Sequence, residues 1–268
     1  MTVLLKKLFS ALLTFVLITG SAFAAPKSEL WPYWDKTDPD STQTISHKPW
    51  QRLLDTYLVE KGEYTLFDYQ AIGPEDRNNL KSYITGLADL DPRGYTKAEQ
   101  YAYWVNLYNA ITVELILDNY PVKSITKLGG LFSFGPWGDK VITITGQDLT
   151  LNDIEHRILR PIWDDPRTHY AVNCASLGCP NLQPTAFTAS NSENLLEKAA
   201  IQFVNSDKGV NQDGDKLQLS SIYEWFADDF GGSEKGVLEH LNRYRQSNDL
   251  KDFNGKIQYE YDWSLNKT

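Results

Sequence analysis

Residues 98–120 read AEQYAYWVNLYNAITVELILDNY, and the reading of this stretch decides the fold. Thr96 followed three residues later by Glu99 is a capping-box signal. Asn119-Tyr120-Pro121 is a stop, because the residue before a proline is pushed out of helical angles. The interval, about residues 97–120, predicts one helix of about six turns at ~3.6 residues per turn. Trp104, Tyr108, Ile111 and Leu115 form one stripe, and Ala102, Val105, Leu107 and Val113 fill most of the remainder. A helix apolar nearly all round is a buried helix. Asn106 and Asn109 interrupt it, and buried amides need partners, supplied either by other backbone segments or by a ligand.

Outward from this helix, short elements of both kinds alternate. Trp50, Leu53, Leu54, Tyr57 and Leu58 repeat at helical spacing up to Gly62, Tyr64 to Tyr69 reads as a short strand, and Glu75 to Leu87 as a helix. Lys140 to Thr145 alternates as a strand, and Thr150 or Asn152 caps LNDIEHRILRP, which Pro161 should end. Arg167 to Asn173 is expected to be a strand running into the loop CASLGCP. Ser190 and Glu193 form a second capping-box signal, and Asn211 to Asp215 is a hairpin turn into a strand over Lys216 to Leu219. Two further helices start near Ser221 and run through Leu238 and Leu241, and IQYEYDWSLN closes the chain as a strand. These elements predict a single α+β domain over residues 49–268, with a small, mainly antiparallel sheet packed on the central helix and further helices around it. Residues 25–48 read as a polar N-terminal linker wrapping the surface, with WPYW able to dock.

Residues 1–24 carry Lys6 and Lys7, an apolar run from Leu8 to Ile18, and Ala22-Phe23-Ala24. This is the pattern of a secretory signal peptide, so the mature chain is expected to start at Ala25 in the periplasm or, alternatively, outside the cell. No later run approaches the ~20 apolar residues of a membrane span, and none is expected in the mature protein. The net charge is −9, and loss of the two signal lysines makes it more acidic. An acidic chain without a basic run argues against nucleic acid. Expected partners are a small molecule, a peptide or another envelope component.

Four stretches carry a resemblance: WVNLYNAITVELIL with YPVKSI, LTLNDIEHRILR, HYAVNCASLGCP, and LSSIYEWFADDFG with a terminal YDWSLN. Together they resemble the domain of unknown function 547 family, from about Trp50 to Asn266. The resemblance implies a shared core and a shared site, and it names no substrate. The matching residues are Asn106, Tyr108, Asn109, Glu155, His156, Arg160, Arg167, His169, Asn173, Cys174, Cys179 and Pro180.

Cys174 and Cys179 are the only cysteines, and both lie in one loop. In an oxidising compartment such a pair is most simply a disulfide shaping that loop. The sharper alternative makes Cys174 a nucleophile, with His156, His169 and Glu155 as candidate catalytic partners and Tyr108, Asn106, Asn109, Asn173 and Arg160 as binding residues. A strand would hold His169 away from Cys174, at ~3.3 Å per residue, which leaves His156 as the expected base. Metal binding ranks below this, since no close His/Cys spacing marks a site. No phosphate-binding glycine motif, nucleotide fingerprint or serine nucleophile elbow is present, so no cofactor is expected. Three classes follow: a thiol- or His-dependent hydrolase or acyl-transfer enzyme, a binding or scaffold module with a structural disulfide, and a thiol–disulfide redox protein. The last is set back by a spacing that is not C-x-x-C. His47 and His240 stand on polar stretches and are expected to be solvated.

Overall fold

The computed structural model describes residues 25–130, 134–247 and 250–268. The signal-peptide expectation for residues 1–24 lies outside the described residues. Helix α3, Lys97–Asp118, is buried on every side over the fifteen residues from Glu99 to Val113, as its composition demands. The Thr96 hydroxyl accepts from Glu99 N at 3.3 Å, but Glu99 does not return the capping bond. Its carboxylate takes the Ile45 N–H at 3.1 Å instead, so half of the capping box is spent on fastening the N-terminal segment. That segment is packed rather than free: Trp34 lies edge-on against Trp104 with ring centroids 5.1 Å apart, and Ile45 enters the same core.

Before α3 come α1 (Lys48–Tyr57), the β1–β2 hairpin (Leu58–Lys61 and Tyr64–Phe67) and α2 (Pro74–Ala88). After it come a second hairpin, β3–β4 (Lys140–Ile144 and Gln147–Thr150), the irregular helix that ends in α4 (Arg160–Trp163), and α5 (Ser192–Val204). The chain finishes with β5 (Val210–Asp213), β6 (Lys216–Ser220), α6 (Ile222–Trp225), α7 (Glu234–Tyr244) and β7 (Lys256–Glu260). The α+β class holds, with its strands divided among three small sheets. β5 pairs antiparallel with β6, and β7 adds to β6 in parallel. The β3–β4 hairpin packs on the α3 core, whereas β5–β7 build a second core with α7, one face of α5 and Tyr170. No helix among the described residues is long and apolar enough to cross a membrane.

Three local expectations fail for identifiable reasons. Residues 167–173 are not a strand: Asp165 accepts from Arg167 N, Pro166 opens the turn, and Pro166–Tyr170 forms a 3-10 helix. The second concerns Pro161, which does not stop its helix. Asp153–Leu159 is a π-helix, with Arg160 N reaching back five residues to Glu155 O, and α4 continues directly from it. Because proline has no N–H, the carbonyl that residue 161 would have served is left open. The N-terminal segment meets the carbonyls of this turn, with Glu29 N on His156 O and Trp31 N on Arg157 O, both at 2.9 Å. Thirdly, His47 and His240 are buried rather than solvated, His47 Nδ1 bonding the Tyr83 hydroxyl at 2.7 Å and His240 Nε2 the Tyr170 hydroxyl at 2.8 Å.

Candidate functional site

Asn106 and Asn109 act as internal anchors. Asn106 donates to Phe187 O at 2.8 Å and accepts from Phe187 N at 3.1 Å. Asn109 donates to Ala171 O at 2.9 Å and accepts from Asn173 N at 2.8 Å. Each amide thus satisfies one donor and one acceptor of a backbone segment that has no sheet or helix partner. The Asn109 clamp matters most for chemistry, because it grips the few residues between His169 and Cys174.

On one side of that clamp lies a buried ionic cluster. Asp229 accepts from Arg160 Nε at 2.6 Å and Nη2 at 2.9 Å, and from His169 Nε2 at 2.6 Å. Arg160 also donates Nη1 to His156 Nδ1 at 3.0 Å, which places the proton of a neutral His156 on Nε2. Phe226 stacks on His169 at 4.3 Å and lies under the Arg160 guanidinium at 4.9 Å. Burial would raise the Glu155 carboxyl, but His156, which becomes charged in the acid range where Glu155 titrates, the neighbouring His169 and the Tyr108 hydroxyl together outweigh it and hold it at about 2. Burial also keeps His156 neutral, pulling it down to about 4 against the pull of Glu155. Asp229 is likewise held well below the usual carboxylate range, since the bonds from His169 and Arg160 outweigh its burial. Glu155, His156, Arg160 and His169 therefore do come together. Their nitrogens and oxygens are largely spent on each other and on Asp229, a residue that sequence reasoning missed. Arg167 stands apart, forking onto Asp165 and pinning Glu193 at the start of α5.

On the other side lies the thiol loop. The Cys174 and Cys179 sulfurs are unlinked and 2.7 Å apart, Cys174 half-buried and Cys179 buried. Cys174 Sγ meets the Tyr261 hydroxyl at 3.0 Å and the Ser176 hydroxyl at 3.1 Å, and Ser176 donates to Tyr261 at 3.0 Å. Cys174 N donates to Cys179 Sγ at 2.9 Å. Asn173 folds the loop by donating to Pro180 O at 2.8 Å and accepting from Ala175 N at 2.9 Å. Ala175 sits at φ 58°, a left-handed position that costs a non-glycine residue roughly 1–2 kcal/mol. The loop is then laced to the C-terminal segment by Leu177 N on Ser264 O and Gly178 N on Asp262 O, both at 2.8 Å. Gly178 is required there, since a Cβ would come within 2.7 Å of Asp262 N.

Burial pushes the Cys174 thiol up, and the second sulfur pushes it further. Cys179 is also buried, but hydrogen bonds from Cys174 and Tyr261, with the Lys208 charge, bring it down. The two thiols therefore titrate as a pair, with the first negative charge favoured on Cys179. A cavity of about 240 Å³ opens beside the loop, lined by Tyr64, Gly178, Lys208, Gln218, Tyr261 and Asp262 among others.

The two groups do not fuse into one catalytic constellation. Among the described residues, neither His156 nor His169 lies within hydrogen-bond reach of Cys174 Sγ, so the expected Cys174–His156 pairing is not made. Tyr108 links the two groups, feeling the charges of Glu155 and of both sulfurs. No grouping of three or more metal-binding side chains occurs among the described residues. No curated protein and no solved structure matches the chain. Residues 92–204, which span α3, His156 and His169, Asn173 and both cysteines, match the model of the family described as "Protein of unknown function, DUF547".

Proposed function

We propose that the protein is exported and works through Cys174 and Cys179 as a thiol–disulfide couple. The observation that carries the reading is the 2.7 Å approach of the two sulfurs, with a hydroxyl pair rather than a histidine on the more accessible one. The leader-like residues 1–24 support it, because disulfide chemistry persists in compartments reached by export. The substrate class is a protein or low-molecular-weight disulfide. Cys174, having passed its proton to Cys179, attacks one substrate sulfur, and the other leaves as a thiolate. Cys179, its proton lost to solvent, then attacks the Cys174 sulfur of the mixed disulfide. The second substrate thiolate leaves, the protein is oxidised to the Cys174–Cys179 disulfide, and the substrate is reduced to two thiols. The reverse sequence oxidises a dithiol.

Thiol hydrolysis or acyl transfer draws less support, because neither His156 nor His169 lies within hydrogen-bond reach of Cys174 among the described residues. A structural cross-link is the second reading, favoured by the lacing of residues 174–178 to residues 262–266. Equilibration with glutathione redox buffers decides between the two. A couple that exchanges with substrates should titrate above about −300 mV, whereas structural disulfides lie below it. In addition, Cys179→Ser should accumulate a mixed disulfide through Cys174. A very low potential together with no trapped adduct would leave only the structural reading.

A further inference from the structure

Lys208 is the charged side chain built into the thiol loop from outside it. Its Nζ donates to Cys179 O and to Asn181 Oδ1, both at 2.7 Å, and lies 4.9 Å from the centre of the Tyr64 ring. Asn181 is itself fixed, donating to Glu63 O at 2.7 Å and accepting from Thr65 N at 3.2 Å. Among the described residues the ammonium makes no ion pair, and its two close acceptors are neutral. Taking a lysine into such a place costs free energy unless a negative charge develops nearby. Burial lowers it to about 8, and the Cys179, Glu63 and Cys174 charges act in the opposite direction.

We infer that Lys208 is a positioning residue for the thiol pair: anchored on the Cys179 carbonyl and on Asn181, it holds Cys179 as the thiolate and so sets the pH at which the pair reacts. The inference rests on the thiol–disulfide reading for its purpose, but its physical content is independent of it. Other charged or titratable groups face the same space: Glu63 and Tyr64 from the first hairpin, Asp207 beside the lysine, and Glu260, Tyr261 and Asp262 from the C-terminal segment. The acids oppose thiolate formation, and Lys208 is the cation among these groups, adding its charge to the hydrogen bonds from Cys174 and Tyr261 that favour the Cys179 thiolate.

The test is the pH dependence of iodoacetamide alkylation of the reduced full chain. Lys208→Gln should move the first inflection up by about one pH unit or more, equivalent to about a tenfold lower rate below that inflection. Lys208→Arg should keep it near the parent value. An inflection unmoved in folded Lys208→Gln overturns the inference. Should that variant not fold, the unmutated protein still decides, because linkage is reciprocal. The Lys208 titration, followed by NMR, should lie lower in the oxidised protein than in the reduced one, and equal values overturn the inference. If the alkylation profile shifts as expected but the glutathione equilibrium places the pair below about −300 mV, the redox reading fails and the lysine assignment stands.

Discussion

Replacing Asn109 with alanine isolates the element that ties the central helix to the functional loop. The substitution removes a donor to Ala171 O and an acceptor of Asn173 N, and both residues are buried. A buried polar group left without a partner costs about 1–3 kcal/mol, and a carbonyl tolerates the loss better than an N–H, so roughly 2–4 kcal/mol is expected in total. For a chain of this size that corresponds to about 5–15 °C in Tm. Asn106→Ala breaks an equivalent pair of bonds to Phe187 and should cost a similar amount. The two differ in what they do to the thiols: only Asn109 holds the segment that leads into Cys174, so only Asn109→Ala should also change the alkylation rate of reduced protein. Urea denaturation and iodoacetamide kinetics on the two variants form the assay. Parent-like melting of Asn109→Ala would refute the anchoring argument, and equal alkylation rates in the two variants would refute the link to the loop.

Thiol titration of the denatured protein, purified under oxidising conditions, should give close to no free thiol, and two reactive thiols would count against any disulfide at this loop. Asp229→Asn should cost about 2–4 kcal/mol, because the buried Arg160 charge loses its fork partner while Asp229 is only partly buried; a neutral result would mean that the cluster contributes nothing net. Burial holds His47, His156 and His240 at about 4, below the unfolded value of 6.5, so they bind protons more readily when unfolded. Stability should therefore be full above about pH 6.5 and fall as the pH drops towards 4, by at most roughly 3 kcal/mol per histidine. Glu155 should extend the loss from its usual range down to about 2. Denaturant midpoints that stay flat between pH 7 and 4.5 would contradict this. Gly178→Ala should loosen the thiol loop and lower Tm, since the added Cβ meets the Asp262 backbone; an unchanged Tm would mean that the close approach yields freely.

The central helix, its amides and the hairpin turn at Asn211–Asp215 were legible because their signals are local: periodicity, caps and turn residues. The 3-10 helix at Pro166–Tyr170 was misread because RTHYAVN also alternates like a strand, and the deciding signal, Asp165-Pro166, lies just before it. β1 was hidden because Leu58 continues the helical spacing of α1. Pro161 failed as a stop because the carbonyls of the turn before it are met from more than a hundred residues away, which periodicity cannot show. Asp229 carries no mark that separates it from Asp228 beside it, and only the fold brings it to Arg160 and His169. Lys208 was likewise invisible, since nothing in its neighbourhood signals that it turns inward on Cys179. The cysteine spacing shows only that both thiols lie in one loop; the turn made by Asn173 and Ala175, which brings the second sulfur back to the first, is not readable from it.

Tyr170 belongs to the second core and Ala171, the next residue, to the first. One peptide bond therefore separates two units that could open on different timescales, in the manner of foldons. If the smaller unit opened while the larger held, the contacts severed would include Asp229 to His169 and Tyr261 to Cys174, because each joins that unit to the residues flanking the peptide. Sub-global opening would then bare the thiol pair without unfolding the central helix. Alkylation of Cys174 in mild denaturant would show a shallower dependence on denaturant than global unfolding, and amides of β5–β7 would exchange with the same slope while those of α3 stayed protected.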